Sequence, residues 1–158
     1  MYGVNSKDEV LEITKRVVSV FGGGDKAVRL LLETACVETH LGTYPDRHPE
    51  KLGVGLTQFD QIALDDLQQR VRSRHRRLLK QEFGYSLNDI KLADLAYDAT
   101  LAMALTRLKY LLVPEAIPTT ILGRAEYWKK YWNTSAGKGE VVDYLNDITH
   151  HMPNEFVC

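Results

Sequence analysis

The chain has 158 residues, 44% hydrophobic and 26% charged, and its 20 basic and 21 acidic side chains leave a net charge of −1. Those proportions exclude collagen, coiled coil and disorder, and predict one globular domain over residues 1–158 whose core needs no disulfide or metal. The charge balance argues against a dedicated nucleic-acid binder. Two cysteines, Cys36 and Cys158, make neither a disulfide framework nor a structural zinc site by themselves.

Helical periodicity dominates the chain. Ser6 and Glu9 form a capping box before Val10, Ile13, Val17, Val20 and Phe21, and the run Gly22 to Gly24 stops that helix. Asp25 can cap a second helix through Val28, Leu31, Leu32 and Ala35, ending near Leu41 with Gly42 just beyond. From Thr43 to Gly55 prolines, glycines and mixed charge predict a loop with a short hairpin. Asp60 is an N-cap for a third helix through Ile62, Leu67, Val71 and Leu79, stopped by Gly84. Ser86 and Asp89 open a fourth that passes Leu95, Leu101, Leu105 and Leu112 and closes at Pro114. Ile121 to Trp132 suits a fifth and Val141 to Met152 a sixth. The fold class is therefore mainly α, about six helices with an irregular or hairpin segment around residues 43–59. The uncharged stretch from Ala99 to Thr106 is too short to cross a bilayer. The opening MYGVNSKDEV has no basic or apolar signal region, so the chain is expected to be synthesised in a cytoplasm without a signal peptide.

One carboxylate falls on an unexpected face. With Leu31 at the origin and about 100° per residue, Glu38 lies at about −20°, inside the apolar stripe, whereas Glu33 lies at about 200°, toward solvent. A carboxylate on a core face is either a structural group bonded to backbone or arginine, or a general acid whose pKa burial raises toward ~6. It stands one turn before a glycine-containing loop.

The surrounding residues resemble a known signature. Glu38-Thr39-His40-Leu41-Gly42 is followed by Gly53-Val-Gly55-Leu56-Thr57-Gln58-Phe59-Asp60 and, near the C-terminus, by Tyr131-Trp132-Asn133-Thr134-Ser-Ala-Gly137-Lys-Gly139-Glu-Val141. These are similar to three elements of goose-type lysozymes and soluble lytic transglycosylases: a catalytic Glu followed by Ser, a Gly-x-Gly-Leu-Met-Gln segment, and a Tyr-Asn-Ala-Gly-x-Gly-x-Val segment. Asp46-Arg47 and Asp60 also occupy positions of the goose-type form. The likeness spans roughly residues 28 to 145. Thr39 replaces Ser, Thr57 replaces Met, and Trp132 replaces the tyrosine that assists the catalytic Glu, leaving Tyr131 or Tyr127 to take that part. Size and a stand-alone catalytic domain are similar to phage or prophage muralytic proteins, an endolysin or a virion-associated component acting on the bacterial cell wall.

The resemblance implies cleavage of the β-1,4 bond between N-acetylmuramic acid and N-acetylglucosamine in peptidoglycan, with Glu38 protonating the leaving oxygen. It implies Asp46 and Asp60 as further catalytic carboxylates, favouring hydrolysis over transglycosylation, although Asp60 also reads as a helix cap. Thr39, Gly55, Gln58, Tyr127, Tyr131 and Asn133 are the expected substrate-binding residues. Gly55 is equally explained by a tight turn, and Trp128 reads best as a core aromatic. Glycan strands of peptidoglycan are the expected partner of a monomer, with no nucleic acid and no membrane insertion. Arg70, Arg72, Arg74, Arg76, Arg77 and Lys80 form a basic cluster, either a solvated helix face or a patch for anionic envelope polymers. His40, His48, His75, His150 and His151 make no metal pattern by their spacing, so neither metal nor cofactor is expected. Two other classes compete: a catalytically degenerate glycan-binding or phage structural protein of the same fold, and a helical nucleic-acid binder built on the arginine cluster.

Overall fold

The Ser6 hydroxyl accepts the Glu9 N–H at 3.1 Å and opens helix α1, Lys7–Phe21, which Gly22 closes in a positive-φ conformation. The computed structural model describes residues 1–45, 53–133 and 139–156. Helix α2, Gly24–Thr39, starts one residue before Asp25, which therefore sits inside its first turn and does not cap it. It also stops earlier than expected. His40, at φ 49°, is the left-handed cap, Leu41 and Gly42 follow with positive φ, and the chain folds back so that Leu41 N–H donates to the Ala35 carbonyl and Tyr44 N–H to that of Thr39. Burial of the Leu41 side chain drives this early turn, because it returns an apolar residue to the core.

Helix α2 runs through the middle of the molecule, with α1, α5, α6 and α7 against it. Every residue from Leu30 to Cys36 is buried. A helix covered all round has no solvent side, and the helical-phase expectation for Glu33 fails for that reason. Glu33 is 2% exposed and sits in the core.

The expected third helix is two helices, α3 (Gln61–Arg70) and α4 (Ser73–Phe83), with Val71 and Arg72 extended between them. The Arg76 side chain makes the break possible. Its guanidinium donates to the carbonyls of Val71 and Gln68 and to the Asn88 side chain, occupying acceptors at a helix end that would otherwise lack partners. The fourth helix is also shorter than its periodicity suggests. Residues Leu87–Asp89 and Leu92–Leu95 form single 3₁₀ turns, and α5 spans Ala99–Leu111. Asp98 caps it, accepting the Leu101 N–H at 3.0 Å and the Tyr85 hydroxyl through its other oxygen.

Helix α6, Ile121–Trp128, begins on the Thr120 hydroxyl and widens into a π turn over Lys129–Asn133. Helix α7, Val141–His151, begins with Glu140 N–H donating to the Asp143 carboxylate. The protein is thus mainly α, as expected. Among the described residues there are seven α-helices, and the sole β feature is the antiparallel bridge between Val54 and Phe59. No helix among them is long and apolar enough to cross a membrane.

Candidate functional site

Glu38 occupies the last turn of α2, half-buried. The next residue ties that helix end to the loop that follows in sequence. Thr39 is 1% exposed; its hydroxyl donates to the Leu56 carbonyl at 2.7 Å and accepts the Gly42 N–H at 3.1 Å. Leu56 belongs to a tight turn closed by reciprocal hydrogen bonds, Val54 N–H to Phe59 and Phe59 N–H to Val54, with Gln58 N–H donating to Gly55 inside it. Gly55 has φ +83°, and a Cβ there would stand 2.4 Å from the Leu95 carbonyl oxygen. Only glycine fits. The close approach is to the Leu95 backbone and not to a ligand, so Thr39 and Gly55 support the site from below and do not line it. Thr57 serves likewise, its hydroxyl 2.7 Å from that of Thr106 on α5.

Helix α5 supplies what sequence reasoning missed. Lys109, half-buried in its last turn, lies near enough to Asp60, Glu38 and Asp66 for their charges to raise its pKa. Burial outweighs all three and holds the ammonium below the usual lysine range. The Lys109 Nζ stands 4.0 Å above the Trp132 ring, a cation–π contact, with Phe59 edge-on to the same indole. Beneath them the Tyr110 ring stacks on Trp132, and its hydroxyl shares a 2.8 Å hydrogen bond with Thr34, one turn before Glu38. Burial pushes the Tyr110 phenol well above its ordinary range, and the Glu38 charge adds to that push. Arg107 and Lys109 are the only charges in α5. Their isolation in an Ala/Leu-rich helix was the available signal.

The remaining expected residues divide. Asp60 is exposed and caps α3, accepting the Ala63 N–H at 2.8 Å, while its charge also acts on Lys109. Gln58, with φ 53°, commits one amide hydrogen to the Gly55 carbonyl at 3.0 Å. Tyr127 is buried and donates to the Glu115 carbonyl at 3.0 Å, burial pushing its phenol up to about 12; Tyr131 packs edge-on against it. Both tyrosines thus serve the segment after α5, whereas the Glu38 charge acts on the Tyr110 hydroxyl. Asn133 accepts from the Lys129 ammonium at 2.9 Å and packs against Gly139. Asp46, with Arg47 and His48, lies outside the described residues, as does Gly137.

Away from this site, Glu33 receives two hydrogen bonds from Arg124, at 2.6 and 3.0 Å, and a third from the Tyr144 hydroxyl at 2.7 Å. The basic cluster is less uniform than its sequence. Arg76 is committed to backbone carbonyls, Arg70 pairs with Asp66 at 2.9 Å, and Arg72, Arg74, Arg77 and Lys80 are exposed. Cys36 is a free, buried thiol, pushed by burial up to about 12. The fold also assembles three groups that the spacing of the histidines concealed: His40 at the end of α2 meets Asp147 and His151 of α7, with one ligand atom from each within 4.8 Å of the others. Compared with family models, with curated proteins and with solved structures, the chain finds no match in any of the three.

Proposed function

We propose that residues 1–158 form a lysozyme-like catalytic domain that cleaves the β-1,4 bond between N-acetylmuramic acid and N-acetylglucosamine in peptidoglycan. Glu38 donates a proton to the glycosidic oxygen as the sugar ring takes on positive charge. The observation that carries this reading is the 2.7 Å hydrogen bond from Thr39 to Leu56. It fixes the Glu38-bearing helix end against the Gly-x-Gly-Leu-x-Gln turn, the two segments whose residues most resemble the muralytic signature. The buried Trp132 and Phe59 rings pack around Lys109, and Asp60 is a second carboxylate within electrostatic range of Lys109, as Glu38 is. A second carboxylate is what hydrolysis through an activated water requires, and it favours hydrated over anhydro sugar ends.

One observation favours a second reading, a glycan-binding or phage structural protein of this fold without turnover. An ammonium next to a carboxylate stabilises its ionised form, and Lys109 is such a group beside Glu38. The loss of turbidity of purified cell walls separates the two. The wild type should clear them and Glu38→Gln should be slower by roughly 10²–10⁴-fold with its fold intact. Binding to walls without clearance by the wild type would leave the glycan-binding reading standing.

A further inference from the structure

The ends of α2 and α7 bring together groups that Glu38 chemistry does not use. His40 Nε2 lies 3.5 Å from Asp147 Oδ1, and the His40 and His151 rings stack face to face with centroids 3.6 Å apart. Asp147 and His151 stand four residues apart on α7, so both project from one face of its last turns. All three side chains are half-buried. Their surroundings are mixed: the Tyr44 ring packs on His40, Lys7 donates to the His151 carbonyl, and Asp143 adds negative charge near Asp147. Two stacked imidazoles cannot comfortably both be cationic. A neutral imidazole has one nitrogen lone pair to offer a metal ion.

We propose that His40, Asp147 and His151 bind a divalent transition metal ion of the zinc type, clamping the end of α2 to α7. Two imidazole nitrogens and one carboxylate oxygen are a donor set that zinc(II) and cobalt(II) accept in tetrahedral geometry, with water in the fourth position. Ligand atoms about 2.0–2.1 Å from such an ion lie roughly 3.4 Å from one another. The His40–Asp147 separation of 3.5 Å already matches that edge. The stacked rings must tilt so that their lone pairs converge on the ion, a side-chain rotation at the edge of the fold that leaves both helices in place. The ion's charge is balanced by Asp147 and Asp143 against Lys7.

The test uses the full chain, stripped of metal with a chelator and titrated with zinc chloride or cobalt chloride. One equivalent should bind with micromolar affinity or better, the cobalt form should show visible ligand-field bands, and zinc should raise Tm. His40→Asn, which keeps a residue tolerant of the left-handed conformation, and Asp147→Asn and His151→Gln should each weaken binding by about tenfold or more. They should also abolish the rise in Tm, whereas His75→Gln should behave as wild type. If His40→Asn does not fold, the two α7 variants carry the test. No saturable binding by the wild type, or equal binding by the α7 variants, would overturn the proposal.

Discussion

Arg124 grips Glu33 with two hydrogen bonds, at 2.6 and 3.0 Å, and both side chains are almost wholly withdrawn from solvent at 3% and 2% exposure. The pair joins α2 to α6, and the Tyr144 hydroxyl brings in α7. A buried pair of this kind is costly to break from one side only, because the abandoned partner keeps its desolvation cost. Glu33→Gln should therefore lose about 3–5 kcal/mol of stability in urea unfolding, and Arg124→Met a similar amount. The double variant should lose less than the sum. Glu33→Gln within about 1 kcal/mol of wild type would mean that the carboxylate meets water in solution.

Thr39 gives a second expectation. Thr39→Val keeps the shape but removes the bonds to Leu56 and Gly42, which should cost about 1–3 kcal/mol and reduce wall clearance further than stability alone explains. Thr39→Ser keeps the hydroxyl and sacrifices one buried methyl, about 1 kcal/mol, and should clear walls nearly as well as wild type. Equal damage from both would assign the residue's importance to its methyl group.

Lys109→Met should separate charge from shape. Without the ammonium, Glu38 stays protonated to higher pH, and the alkaline limb of wall clearance should move upward. The stability effect has its own sign. A lysine whose pKa is lowered by folding binds fewer protons in the native than in the unfolded state as pH approaches 10.5, so wild-type stability rises with pH through that window. The methionine variant lacks this slope and should melt higher than wild type at pH 7. An unchanged pH profile of clearance would detach Lys109 from the chemistry.

The exposed arginines test the proposed substrate. Neutralising Arg72, Arg74 and Arg77, and sparing Arg76 because it completes a helix end, should slow lysis of whole cells more than lysis of walls stripped of anionic polymer. The difference should shrink as salt rises, since attraction between exposed charges is screened within about 8 Å at physiological ionic strength. Equal slowing on both substrates would leave those arginines as a solvated face.

Much of the fold was legible because local signals agreed with tertiary ones. Ser6 and Asp60 cap the helices that their sequence context predicts, Gly22 closes α1, and Val10, Val17 and Phe21 of α1 and Leu101 and Leu105 of α5 are buried. The failures have identifiable causes. Periodicity misplaced Glu33 because α2 is enclosed, and a phase angle cannot tell a core face from the face of a second core neighbour. It joined α3 to α4 because the interruption depends on Arg76 reaching back to Gln68 and Val71, which no propensity records. Of the candidate site, Glu38 and the 53–60 turn were visible as residue patterns. Lys109 and Tyr110 were not, since only the packing of α5 against α2 brings them there. His40, Asp147 and His151 were hidden for the same reason.

The π turn at Lys129–Asn133 has a consequence for how this chain tolerates insertion and deletion. Each residue added to or removed from a helix rotates everything beyond it by about 100°. The wide turn amounts to one such extra residue, absorbed without breaking the helix. It determines which aromatic faces Lys109: Trp132 does so, and its neighbour Tyr131 packs against Tyr127. Removal of one residue from this turn would act as a rotation more than a shortening, turning the indole away from the ammonium while the remaining sequence stayed the same.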